Sequence, residues 1–203
     1  MHGFPTSLVR GFRLTGDLPD DVPAFLRLHH HEDLVGHVAR VADRAGRIAD
    51  TVGADRQAAV ASGWLHDVSL VLPHDAMLQA AEQAGLGVLP EEWQVPALLH
   101  GKLSAFLAAQ VFGVTDEATL DAMRCHTTLR AGATLMDRVV FVADKLSWDP
   151  ADAPYHADLT AALSRSLDDG VRFFLAWSWQ GRDRMQAIHP WFREACKEYG
   201  VGG

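Results

Sequence analysis

Six side chains in this sequence have the chemistry of a metal site: His37, His66, Asp67, His100, His126 and Asp144. Imidazole nitrogens and carboxylate oxygens suit iron, manganese, zinc and other divalent ions, so ligand type by itself does not choose among them. No thiolate belongs to the set. Cys125 and Cys196 have neither the number nor the spacing of a structural zinc site or a disulfide framework. A site built from histidine and carboxylate is expected to keep coordination positions open for water or substrate. Taken singly, each residue has an ordinary reading. A lone histidine on an apolar face, such as His37, is most often a hydrogen-bonded core residue, and an Asp at a helix end, such as Asp67, often caps the next helix. Asp144 is harder to dismiss, because it follows Val139-Val140-Phe141-Val142-Ala143, where a carboxylate without a partner would be costly to bury. With His66-Asp67 counted as one position, every position lies in or at the end of a different apolar helix, which makes coincidence a poor account of them all.

Those helices follow from hydrophobic spacing. Leu34, Val38, Val41, Ala45, Ile48 and Val52 recur at helical intervals and predict a helix over residues 33 to about 52 that carries His37. A second, Arg56–Leu65, ends at His66-Asp67, and a third spans 73–84 before the Gly85-Leu86-Gly87 break. Apolar stripes predict further helices over 93–100, 103–111, 116–126 and 134–146. After an irregular stretch at 148–155, Leu159, Leu163, Leu167, Val171, Phe174 and Trp177 predict one long amphipathic helix, and a short one follows Pro190. No alternating strand pattern is convincing. The expected fold is therefore all-α, a single helical bundle whose facing helices project ligands into one core. Residues 1–30, with weaker periodicity, read as an N-terminal extension, 31–195 as the domain and 196–203 as a C-terminal tail. Adjacent histidines do not share one helix face, so His29-His30-His31 reads as structural or incidental.

Composition narrows the function. The net charge of -8, with Lys and Arg scattered over 203 residues, argues against a general nucleic-acid surface. A small anionic substrate remains compatible, since a bound cation can be the largest charge in such a site. No apolar run approaches the roughly 20 residues of a membrane span, and Met1-His2-Gly3-Phe4-Pro5 lacks the pattern of a secretory signal. A soluble cytoplasmic protein, monomer or homodimer, is expected.

The segments around the six residues carry a specific resemblance. His37-Val38-Ala39-Arg40-Val41, Gly63-Trp64-Leu65-His66-Asp67, Pro96-Ala97-Leu98-Leu99-His100-Gly101, His126-Thr127-Thr128, Val142-Ala143-Asp144-Lys145 and Ile188-His189-Pro190 occur in that order over residues 30–195. An isolated His-Asp doublet means little. The ordered series resembles the HD superfamily, and within it the YqeK branch of bacterial hydrolases that cleave diadenosine tetraphosphate symmetrically to two ADP. The resemblance implies an HD domain, hydrolysis of phosphoric anhydride bonds and a nucleotide substrate. It implies that His37, His66, Asp67 and Asp144 hold a divalent ion, iron first, with manganese or zinc as alternatives. His100, His126 and Thr127 would lie near the phosphates. In related HD enzymes the equivalents of His100 and His126 can ligate a second metal, so one ion or two stays open. Ile188, His189 and Pro190 correspond to a segment beside the nucleoside. Asp67, His100 and His126 are the catalytic candidates.

Three departures bear on the substrate. Leu70 stands where a Lys is common, Leu129 where a Gly usually follows His-Thr-Thr, and Ser147-Trp148-Asp149-Pro150 replaces a Glu-Pro-x-Arg pattern, removing an Arg expected to hold phosphate. A tetraphosphate's charge must then be met elsewhere, because charge-assisted hydrogen bonds are the strong ones a protein can offer. Lys102, close after His100, and Arg130, close after His126, are the expected replacements, with Lys145 as a third. Metal-assisted hydrolysis is the expected mechanism. The alternatives are an HD-domain nucleotidase or phosphodiesterase on another nucleotide, a nucleotide-binding regulator with little turnover, and a di-iron oxygenase.

Overall fold

The computed structural model describes residues 6–148 and 153–202, which form α-helices and short 3-10 turns with no strand among them. The helices are α1 (Leu18–Leu28), α2 (Glu32–Val52), α3 (Arg56–Leu65), α4 (Met77–Gln83), α5 (Pro90–Gln94), α6 (His100–Gln110), α7 (Glu117–Cys125), α8 (Leu135–Lys145), α9 (His156–Leu163), α10 (Leu167–Gln180) and α11 (Pro190–Glu198). Their ends follow local chemistry. Gly53, in the left-handed conformation at φ 73°, stops α2. The Asp55 carboxylate accepts from Gln57 and Ala58 N–H to start α3, and Asp116 caps α7 through Thr119. Thr134 and Asp137 cap α8 reciprocally. No described helix is long and apolar enough to cross a membrane.

Two apolar clusters flank the centre of the bundle. One gathers Val41, Ala45, Val139, Phe141 and Leu175, and the other Val38, Leu65, Leu99, Leu103 and Met123. α2 contributes to both, so a residue such as His37 beside Val38 sits at their seam. Two glycines set how closely the central helices approach. A Cβ on Gly63 of α3 would meet the α2 backbone at Ala42 Cα, 2.5 Å away, and one on Gly101 of α6 would meet the carbonyls of Met123 and Arg124 on α7 at 2.9 Å.

Several expectations are revised. The predicted long helix is two, α9 and α10, because Ser166 caps α10 by accepting from Asp169 N–H and forces a turn at 164–166. The stretch 93–100 is broken at Pro96, which supplies no N–H, into α5, a 3-10 turn (Pro96–Leu99) and the start of α6. Residues 18–28, in the weakly periodic region, form α1, whose Val22, Phe25 and Leu26 are fully buried. His29 packs its ring on Phe25 and bonds the Leu8 carbonyl, a structural use. α11 continues through the buried Cys196. In the turn after α7, Leu129 is fully buried with φ 55°, a left-handed geometry that favours glycine and costs another residue about 1 kcal/mol.

Candidate metal centre

His66 and Asp67 follow the last turn of α3, His37 lies in the second turn of α2, His100 opens α6, His126 ends α7 and Asp144 lies in the last turn of α8. Three of the imidazoles are oriented the same way. Nδ1–H of His66 donates to Gly63 O at 2.8 Å, that of His100 to Ala97 O at 2.6 Å and that of His126 to Met123 O at 2.8 Å. A carbonyl can only accept, so the proton resides on Nδ1 and each Nε2 turns a lone pair inward, as metal-ligating histidines are arranged.

Those lone pairs converge. His37 Nε2 and His66 Nε2 are 3.3 Å apart, and His100 Nε2 and His126 Nε2 are 3.0 Å apart. Asp67 stands between the pairs. Its Oδ2 is 3.2 Å from His66 Nε2 and 3.7 Å from His37 Nε2, while its Oδ1 is 3.4 Å from His126 Nε2 and 3.5 Å from His100 Nε2. Asp144 Oδ1 is 3.2 Å from His37 Nε2 and 3.7 Å from His66 Nε2. His37, His66 and Asp67 thus make one ligand group, and Asp67, His100 and His126 a second that shares the carboxylate. Facing nitrogen acceptors repel unless a cation or proton lies between them. Asp67 Oδ1 is also buried without a hydrogen-bond partner, a costly state that a cation relieves. The donor set fits divalent metal.

The local field agrees. Burial would push the His66 imidazolium down, yet Asp67 and Asp144 outweigh it and raise it to about 10, so that a proton and a metal ion compete for the same Nε2 lone pair. Burial and the charge of His126 lower His100 to about 4, against the pull of Asp67. Burial would raise Asp67 and Asp144. His66 and His126 hold Asp67 well below the usual carboxylate range instead, and Lys145, His37 and His66 do so for Asp144.

The cluster opens into a cavity of about 560 Å³ whose walls include Arg40, Leu70, Leu98, Thr127, Lys145 and Trp148. Thr127 Oγ1 sits 2.9 Å from His100 Nε2 and 3.1 Å from His126 Nε2. A second, apolar pocket of about 310 Å³ shares Leu98 and Thr127 with it and is walled by Val95, Phe174, Phe192 and His189. Ile188 and Pro190 do not line that pocket; Ile188 packs on the core and Pro190 opens α11. A larger cavity of about 750 Å³, by Arg44 and Arg165, contains none of the candidate ligands.

Lys102 and Arg130 are not where the sequence placed them. Lys102 Nζ donates to Glu92 Oε2 at 2.8 Å and Gly87 O at 2.9 Å, and Arg130 is paired with Asp121 and the buried Asp137. Neither lines the metal cavity, because buried carboxylates take both side chains. Lys145 does line it, but its ammonium is held by Asp144 Oδ2 at 2.6 Å and His126 O at 3.2 Å. Asp149 and Pro150 lie outside the described residues. Sequence reasoning missed three residues. Arg40 lines the cavity with Nε–H donating to Ser147 O at 3.0 Å, and its position three after His37 on one helix face was the available signal. The Trp148 ring lies 4.9 Å from that of His37, and Glu92 is buried beside His189. No local pattern announces either.

Comparison with known proteins agrees with this geometry. The HD domain family matches residues 34–149, more than half of the chain. An uncharacterized protein in the pepC 5' region of Lactococcus lactis subsp. cremoris is 39% identical over 141 residues, covering 69% of this chain and 71% of that protein. A Bacillus subtilis (strain 168) protein named symmetrical bis(5'-nucleosyl)-tetraphosphatase is 31% identical over 148 residues, covering 68% of this chain and 78% of that one. The fold is similar to a crystal structure from Clostridium acetobutylicum, described as a predicted HD superfamily hydrolase involved in NAD metabolism, with TM-score 0.80, 24% identity and coverage of 89% and 95% of the two chains. Because the matched region holds all six candidate ligands, the chain belongs to the HD-domain family of metal-dependent phosphohydrolases, among relatives named as symmetrical bis(5'-nucleosyl)-tetraphosphatases.

Proposed function

We propose that the protein hydrolyses dinucleoside tetraphosphates, diadenosine tetraphosphate first, symmetrically to two nucleoside diphosphates. The observation that carries this reading is the adjoining of two compartments through Leu98 and Thr127, one lined by the imidazole and carboxylate cluster and one apolar. A phosphate chain suits the first and a nucleoside the second. The names of the relatives favour the same substrate.

His37, His66, Asp67 and Asp144 would hold the divalent ion, iron before manganese or zinc. When bound, such an ion polarises a phosphoryl oxygen and lowers the pKa of water. Asp67 orients the attacking water with the oxygen it does not give to the His37 and His66 side. Water oxygen bonds to an inner phosphorus, the central bridging P–O bond breaks, and the departing diphosphate oxygen ends protonated. His100 and His126 would hold a second ion together with Asp67 Oδ1, or, when protonated, would donate from Nε2–H to phosphate oxygens, and Thr127 adds a hydroxyl beside them. Arg40 supplies the phosphate-binding charge, since only its Nε has a hydrogen-bond partner among the described residues.

The test is hydrolysis of diadenosine tetraphosphate by metal-reconstituted protein, with products separated chromatographically. ADP as the sole nucleotide product is expected. Release of ATP with AMP, or no release, overturns the reading. A second reading, hydrolysis of a smaller nucleotide, draws on the apolar Leu70 in the cavity wall, and the same assay with mononucleotides tests it.

A further inference from the structure

Among the polar side chains of the apolar pocket, His189 has its chemistry fixed from behind. His189 caps α11, its Nδ1 accepting from Trp191 N–H at 3.2 Å. Nδ1 therefore carries no proton, and the ring proton is on Nε2. That Nε2–H points to Glu92 Oε1, 3.4 Å away. Glu92 is itself held: its Oε2 accepts from Leu89 N–H at 2.7 Å and from Lys102 Nζ at 2.8 Å. His189 and Glu92 are 4% and 1% exposed, so water does not compete for these bonds. The network joins the N-terminus of α5, the first turn of α6 and the N-terminus of α11.

We propose that Glu92 is a positioning residue of the nucleoside pocket, which fixes His189 so that the histidine meets its ligand through ring carbon and π-surface and not through a hydrogen bond. This rests on the reading of the apolar pocket as the nucleoside compartment. With both nitrogens engaged, His189 has no donor or acceptor to offer a base. Recognition at His189 is by packing, and hydrogen bonds to the base edge fall to Ser178, Gln186 and Thr128 of the same pocket. Without Glu92, the Nε2–H would be left unpaired against an apolar cavity, and the ring would turn to satisfy it. Lys102, anticipated as a phosphate ligand, acts in this account by holding Glu92.

The experiment compares wild type, Glu92→Gln and Glu92→Ala. Nitrogen-15 NMR of the histidine rings at pH 8 reads the tautomer of His189, assigned by its loss in His189→Phe. Binding of ADP and of inorganic tripolyphosphate, which has no nucleoside, to each protein is measured by calorimetry, and turnover on diadenosine tetraphosphate is measured in parallel. The expected wild-type spectrum shows the Nε2–H tautomer. Glu92→Ala should weaken ADP binding and raise KM for the dinucleotide about tenfold, with kcat and tripolyphosphate binding nearly unchanged, and Glu92→Gln, whose one oxygen can serve His189 Nε2–H only by turning its NH2 on Leu89 N–H and Lys102, should recover part of the loss. His189→Phe, which keeps the ring but neither nitrogen, should retain ADP affinity better than His189→Ala. An Nδ1–H tautomer in the wild type overturns the proposal, as does an equal loss of ADP and tripolyphosphate binding in Glu92→Ala, which a merely structural role would produce. Failure of the wild type to cleave the dinucleotide defeats the substrate reading alone, since the tautomer and ADP affinity are read without turnover.

Discussion

Replacing Gly63 by Ala would test whether helix proximity sets metal affinity. The added Cβ would lie 2.5 Å from Ala42 Cα, 2.7 Å from Ala42 N and 2.9 Å from Val41 C, where ordinary contact begins near 3.4 Å. The shortfall, 3.4 less 2.5, is about 0.9 Å. All three obstacles are backbone atoms, so no rotamer change relieves the clash and α3 must withdraw from α2. His66 moves with it, because its Nδ1–H is bonded to the carbonyl of Gly63 itself. His37, on α2, stays. Metal sites hold their distances to about 0.2 Å, so a displacement several times larger should lower affinity by about 10- to 100-fold, the range seen when the support of a ligand is lost. Overpacking should cost about 1–3 kcal/mol, which lowers Tm of the metal-free protein by several degrees. Calorimetric metal titration and thermal melts read both quantities. Gly87→Ala, where nothing lies within 4 Å of the added Cβ, is the control and should change neither. A Gly63→Ala protein that melts lower yet binds metal with unchanged affinity would refute the coupling of helix spacing to the site.

Three further outcomes are expected. Asp67→Ala should abolish metal binding and turnover together while far-ultraviolet circular dichroism keeps nearly all helicity, because the side chain faces imidazoles rather than the apolar core; full turnover would reject the mechanism. Arg130→Ala should cost about 3–5 kcal/mol in urea unfolding with little change in metal-site chemistry, since it strands the fully buried Asp137; a stable variant with impaired phosphate binding would restore Arg130 to the site. Burial would raise Glu92 and Asp21, but His189, Lys102 and Leu89 hold Glu92 below its usual value and Thr15 and Gly16 do so for Asp21. A depressed carboxylate stabilises the fold above its unfolded pKa and loses that contribution as pH falls through the folded one, so urea midpoints should drop below about pH 4, and a midpoint independent of pH from 6 to 3 would contradict this.

The parts of the site that were legible in the sequence are those whose chemistry is local. His37, His66, Asp67, His100, His126 and Asp144 stand at recognisable places on periodic helices, and the structure brings them together. Lys102 and Arg130 show the limit of that reasoning. Each is close to a site histidine along the chain, yet each is claimed by a carboxylate, Glu92 or Asp137, whose approach depends on tertiary packing. The break between α9 and α10 was legible in principle: the spacing of Leu159, Leu163, Leu167 and Val171 hides it, but Ser166 with Asp169 three residues on is a capping signal. Glu92 had no such signal, because its partners come from positions 89, 102 and 189.

Leu129 has a bearing on motion. Its left-handed backbone would be free to a glycine, which would leave the turn after α7 able to flex independently of its surroundings. With leucine, the strained geometry persists only while the side chain stays buried in the cluster of Val139, Val140 and Phe141. Opening this turn therefore requires opening the core around it, so the Leu129 amide, bonded to Cys125 O at 2.7 Å, is expected to exchange with the slowly opening unit of the protein rather than with its loops.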